Sequence, residues 1–118
     1  NGSLYTHSSR GYTRDGRIKP DLAAPGVDVY GPGISSVPGD FPYTRMTGSS
    51  IAAAHVAGAA ACLYSWGYVK GNEPSINSRS IKAYLTLGAD RIAAYRYPNP
   101  EWGYGMLNLY QSFLAMRE

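Results

Sequence analysis

Ser50 lies in the stretch Gly48-Ser49-Ser50-Ile51-Ala52-Ala53-Ala54-His55-Val56-Ala57-Gly58, and its hydroxyl is the side chain best placed for nucleophilic chemistry. The small apolar residues behind it predict a helix from Ile51 to Tyr64. Ser50 therefore stands where first-turn N–H groups and the positive end of the helix dipole would stabilise a developing oxyanion. Gly48 just before it would let a substrate approach the backbone closely. Serine is also among the commonest helix-capping residues, and on position alone capping is the stronger reading.

A serine nucleophile needs a base, and the chain holds two histidines. His55 does not qualify: five residues of helix turn about 140° beyond a full circle and rise about 7.5 Å, which puts its ring on another face from Ser50. It reads as a helix-packing histidine whose ring nitrogens bond nearby polar groups. His7 is free of the helix and precedes a polar loop, which makes it the more tempting base. Cys62, the single cysteine, can form neither an internal disulfide nor a multi-cysteine metal site, and its Ala-rich surroundings predict burial. The eight carboxylates are dispersed, without metal-ligand spacing.

Behind Ser50 the helix is apolar on all sides. Its run of about 14 residues falls short of the roughly 20 that cross a bilayer, so a buried core helix is expected, and no membrane span. Upstream, Gly and Pro punctuate short apolar runs at Leu22-Ala23-Ala24 and Val27-Asp28-Val29-Tyr30, read as brief strands, with a further strand over Tyr43 to Met46. Downstream, Gly67 and Gly71 close the long helix. A second helix is expected to begin after Asn77 or Ser78, with Ile81, Tyr84, Leu85 and Leu87 at helical spacing and Gly88 as its stop. A loop rich in Pro and Gly then leads into a last helix, Asn108 to Met116, with Leu109, Phe113 and Met116 on one face.

Of the 118 residues, 44% are hydrophobic and 16% charged, a balance that supports a packed core and excludes wholesale disorder. The net charge of +3 is scattered. Even the densest basic stretch, Arg10, Arg14, Arg17 and Lys19, is interleaved with Gly11, Asp15 and Gly16, so no nucleic-acid footprint is present. The start, Asn1 to Tyr5, has neither a positive region nor an apolar core. No signal peptide reads there, and the chain is expected to be an excised fragment or a processed product.

The stretch Gly48 to Gly58 resembles the serine signature of the subtilisin-like proteases, Gly-Thr-Ser-Met-Ala-Ala/Ser-Pro-His-Val-Ala-Gly. Ser50 falls on the nucleophile, and His55, Val56, Ala57 and Gly58 match, while Ser49, Ile51 and Ala54 replace Thr, Met and Pro. Two further stretches resemble the family in the right order. One is Ser8-Ser9-Arg10-Gly11 with Asp15-Gly16-Arg17-Ile18-Lys19-Pro20-Asp21 and Ala24-Pro25-Gly26-Val27; the other is Gly103-Tyr104-Gly105-Met106-Leu107-Asn108. The wording around Tyr12-Thr13-Arg14-Asp15-Gly16 and Tyr30-Gly31-Pro32 is similar to clostridial subtilases related to the spore-germination Csp proteases.

The resemblance implies an α/β fold: the C-terminal portion, residues 1–118, of a three-layer subtilisin-like catalytic domain with a largely parallel sheet and a buried central helix. It implies endopeptidase chemistry in the intact protein, with Ser50 attacking a peptide carbonyl and no cofactor required. In that family the triad runs Asp, His, Ser along the chain, which places both partners of Ser50, and the oxyanion-hole Asn, upstream. His7 corresponds to no catalytic position there. The expected partners are a protein or peptide substrate and the missing N-terminal part of the domain. The lone chain is expected to be inactive and, with an unpaired sheet edge, prone to self-association. The resemblance also suggests an exported or spore-associated parent. The alternative function is that of a non-catalytic subtilase homologue serving as a binding or regulatory module.

Overall fold

Six elements follow one another in the computed structural model, which describes residues 3–117: strands β1 (Val29–Pro32) and β2 (Tyr43–Met46), helix α1 (Ser49–Tyr64), a π-helical turn (Ser65–Val69), and helices α2 (Ser78–Leu87) and α3 (Leu109–Arg117). The mixed α/β character is as expected. β1 and β2 pair antiparallel, with Val29 opposite Met46, Tyr30 opposite Arg45 and Pro32 opposite Tyr43. Parallel pairing is represented among the described residues by a bridge between Ala23 and Met106.

The first strand sits two residues later than the sequence suggests. Asp28 adopts a left-handed backbone, φ 51°, which interrupts the extended run at that point. Its N–H donates to Thr47 Oγ1 at 2.9 Å, and pairing with β2 then carries the strand through Gly31 and Pro32.

Two of the sequence motifs are stitched together. Tyr104 N–H donates to the Asp21 carbonyl at 2.8 Å, Ala23 N–H to the Gly105 carbonyl at 2.9 Å, and Leu107 N–H to the Ala23 carbonyl at 2.7 Å. Gly103 allows this: a Cβ there would lie 2.3 Å from the Asp21 backbone. Met106 in turn exchanges both backbone bonds with Asp90. Asp21 is partly desolvated, which alone would raise its pKa. The ammonium groups of Lys19 at 2.7 Å and Lys82 at 3.1 Å outweigh that and hold the carboxyl below its ordinary range. Lys82 belongs to α2, so this ion pair ties the loop to the helix.

α2 starts with a capping box: Asn77 Oδ1 accepts from the Ser80 N–H at 3.0 Å, and Ser80 Oγ accepts from the Asn77 N–H at 2.9 Å. Ile81, Tyr84 and Leu85 face the core, whereas Leu87 is 66% exposed, because six positions of helix rotate it about 240° away from Ile81. α3 begins one residue later than expected, since Asn108 caps it through Oδ1 to the Gln111 N–H and holds Asp90 through Nδ2. The core, Ala59, Leu63, Ile76, Leu85 and Met116, lies where the C-terminal half of α1 meets α2 and α3, with Trp66 and Phe113 packed edge to face beside it. Ser112, fully buried, was not expected there. It lies where α3 passes directly over Gly88 and satisfies its hydroxyl on the Asn108 carbonyl.

The predicted burial of α1 and of Cys62 is corrected by the structure. Ala59 and Leu63 are buried, but Ala53, Ala54, Ala57, Gly58, Ala61 and Cys62 are exposed. An all-round apolar helix needs neighbours on every side, and α2 and α3 cover only one. The helical path also runs on past Tyr64 through the π-turn, with Lys70 N–H donating to the Ser65 carbonyl at 3.0 Å. Gly67, expected as a stop, is buried against Met116 and Ile76 instead.

Candidate active site

The start of α1 is fixed by backbone rather than by a side-chain cap. Gly48 is the capping residue, extended at φ 159° and ψ 160°, and no side chain caps the helix. Its carbonyl receives the N–H groups of Ile51 at 3.1 Å and Ala52 at 3.4 Å. The expectation of hydroxyl capping thus gives way. Thr47 Oγ1 is taken by Asp28, and Ser49 and Ser50 lie inside the first turn. Ser50 is exposed and its hydroxyl is left uncommitted within the described chain. As first-turn donors, the N–H groups of Ser49 and Ser50 have no helical acceptor four residues back.

What locates this helix tip is a loop that sequence reasoning did not single out as functional. Gly48 N–H donates to the Gly26 carbonyl at 2.8 Å, and a Cβ on Gly26 would lie 2.8 Å from the Gly48 oxygen and 3.2 Å from Ala52 Cβ. The signal was present in Ala24-Pro25-Gly26-Val27, where a glycine follows a proline just ahead of a strand. Together with the Thr47–Asp28 bond, this contact ties the residues before Ser50 to the turn entering β1.

A cleft of about 500 Å³ runs beside the tip, bounded by Gly48, Ser49, Ala52 and Val56 on one side and by His7 and Trp102 on the other. Ser50 is not among the residues that line it. His7 is exposed, with its ring 5.3 Å from that of Tyr5. His55 turns back on its own helix: Nδ1 lies 3.1 Å from the Ile51 carbonyl oxygen, which can only accept, so Nδ1 carries the proton. It bonds a polar neighbour as expected, but from an exposed position. Among the described residues no group of three or more His, Cys, Asp or Glu side chains could hold a metal, and no helix is long and apolar enough to cross a membrane.

Residues 1–105 match the model of the subtilase family. The chain belongs to the subtilase family. It is 34% identical over 118 residues to pyrolysin of Pyrococcus furiosus, covering 93% of this chain and 8% of that protein. It is 32% identical over 96 residues to the subtilisin-like protease SBT4.14 of Arabidopsis thaliana, covering 75% of this chain and 12% of the relative. Among solved structures, the CspB protease of Clostridium perfringens superposes with a TM-score of 0.80 at 38% identity, over 93% of this chain and 23% of that one. That likeness supports the Csp-like branch suggested by Tyr12–Gly16 and Tyr30–Pro32. The chain therefore spans about a tenth of the length of these curated relatives and about a quarter of the solved protease. For a subtilase, the ordered motifs have a structural meaning. The second and third are bonded to each other through Asp21, Ala23 and residues 104–107, while the end of the second also anchors the residues before Ser50.

Proposed function

We propose that this chain is the C-terminal, nucleophile-bearing part of a subtilase catalytic domain, and that Ser50 is its nucleophile in a serine endopeptidase. The observation that carries the reading is the uncommitted, exposed hydroxyl of Ser50 in the first turn of a helix whose capping role is filled by Gly48. A serine present only to cap would have its oxygen on a first-turn N–H, and Ser50 does not.

In the complete protein, Ser50 Oγ attacks the scissile carbonyl while an upstream His accepts its proton and an upstream Asp orients that His. The first-turn N–H groups stabilise the oxyanion, the protonated His hands its proton to the leaving amine, and water then releases the acyl group. Neither His7 nor His55 is bonded to Ser50 in the chain, so a hydroxyl without a base leaves the 118-residue chain inactive by itself.

The surface supports the view that further chain packs here. The accessible area is 8361 Å², against about 6,200 Å² for a compact monomer of 12.7 kDa. The radius of gyration is 16.3 Å, where about 13.5 Å is usual for this length. An excess of about 2,100 Å² is the size of a substantial interface. Exposed apolar residues contribute to it, including Ile34, Phe41 and the alanines on the outer face of α1, so the lone chain is expected to self-associate.

Peptide hydrolysis by the complete protein and by its Ser50→Ala variant tests the reading. Loss of several orders of magnitude in kcat is expected. Equal turnover by the variant, or no turnover by the unmodified complete protein, would contradict it, the latter in favour of a non-catalytic homologue.

A further inference from the structure

The face of the β1–β2 hairpin that carries Tyr30, Tyr43 and Arg45 has no role in the chemistry derived above. Tyr30 stands directly opposite Arg45 in the ladder, and Tyr43, two residues before Arg45, shares its side of the sheet. The two tyrosine rings stack at 5.5 Å between centroids with only 7° between their planes, although they are 66% and 63% exposed. The Arg45 guanidinium lies over the Tyr30 ring, 5.8 Å from its centroid.

A guanidinium drawn over an aromatic ring on a paired strand is partly pre-oriented, so less freedom is lost when it forms a further bond. Among the described residues its fork of N–H donors meets no acceptor, and no carboxylate pairs with it. The hairpin's own acids do not reach it: neither Asp28 nor Asp40 pairs with the guanidinium, and Asp40 accepts from Ser35 Oγ. The result is a pre-oriented cation with an aromatic floor and open donors, a geometry suited to bidentate binding of a carboxylate.

Its position says whose carboxylate. From Arg45 the chain leaves β2 at Met46 and passes through Thr47 and Gly48 into the first turn of α1 at Ser49 and Ser50, and five residues span at most about 17 Å even when fully extended. The start of α1 is locked to the hairpin by the Thr47–Asp28 and Gly48–Gly26 bonds, so the two sites keep a fixed separation. A peptide whose scissile bond lies at Ser50 can lay a residue within about five positions of that bond on this face.

We propose that Arg45, supported by Tyr30 and Tyr43, is a specificity-determining site that binds an acidic side chain of the protein substrate. The proposal rests on Ser50 being the nucleophile. The test uses the complete protein and matched peptides that carry Glu, Gln or Lys at successive positions on either side of the cleaved bond, at low ionic strength, with covalent labelling of Ser50 by a fluorophosphonate followed in parallel. At one position Glu should raise kcat/KM about two- to fivefold over Gln, the range for an exposed pair, and added salt should erase the gain. Arg45→Glu should transfer the advantage to the Lys peptide, an inversion that simple misfolding would not produce. Equal kcat/KM for Glu and Gln at every position, or a Glu preference that survives Arg45→Glu, would overturn the proposal while leaving labelled Ser50 in place. If the complete protein neither labels nor cleaves, the nucleophile reading fails and takes this proposal with it.

Discussion

The carbonyl of Gly26 accepts the backbone N–H of Gly48 at 2.8 Å, and through that bond a loop more than twenty residues upstream holds the helix tip on which Ser50 stands. The contact leaves no room for a side chain. In Gly26→Ala the added methyl would meet the Gly48 oxygen, a backbone atom that cannot swing aside. The expected outcome is a loss of about 1 to 3 kcal/mol in stability from overpacking. A fall of at least about tenfold in the rate of Ser50 labelling in the complete protein should accompany it, since small displacements of a nucleophile are costly. Labelling kinetics beside a thermal melt check both.

The Asp21 cluster makes a pH prediction with a definite sign. Its folded-state pKa lies below the ordinary 3.8, so the stabilisation from Lys19 and Lys82 is present above that value and fades as the pH falls through the lower folded value. Lys82→Met should raise the Asp21 pKa, measurable by carboxyl carbon NMR. It should cost no more than about 1 kcal/mol at neutral pH, because both side chains are partly exposed. The stability difference between the two proteins should shrink to nothing in acid, below both pKa values.

Cys62 reports on what covers the outer face of α1. It is exposed in this chain, so at a dilution that keeps the chain monomeric a small aromatic disulfide reagent should modify it rapidly under native conditions. In the complete protein, if further chain packs on that face as proposed, modification should slow by at least about tenfold, because it must wait for local opening. Equal rates in the two would mean that the face remains uncovered.

Much of this was legible in the residues, for local reasons. The start of α2 was placed after Asn77 or Ser78, and the structure shows why a local signal sufficed there: Asn77 and Ser80 bond reciprocally within four consecutive residues; α3 was legible in the spacing of Leu109, Phe113 and Met116. Ser50 could be placed at a helix tip because a run of alanines has few other options. The choice of Gly48 over the hydroxyls as cap was not legible, because it depends on Thr47 being claimed by Asp28, nineteen residues away. Burial along α1 was misread for a related reason: apolar character shows that a face can be covered, and the neighbours that would cover Ala57 or Cys62 are not α2 or α3. The approach of Arg45 over the Tyr30 ring likewise depends on register across the hairpin.

Treatment of the complete protein with a fluorophosphonate, followed by mass mapping of the adduct, addresses the role of Ser50 most directly. A single adduct on the peptide containing Ser50, absent in Ser50→Ala and absent when the 118-residue chain is treated alone, is the outcome expected here. An adduct that persists in Ser50→Ala, or one on a different residue, would show that the nucleophile lies elsewhere.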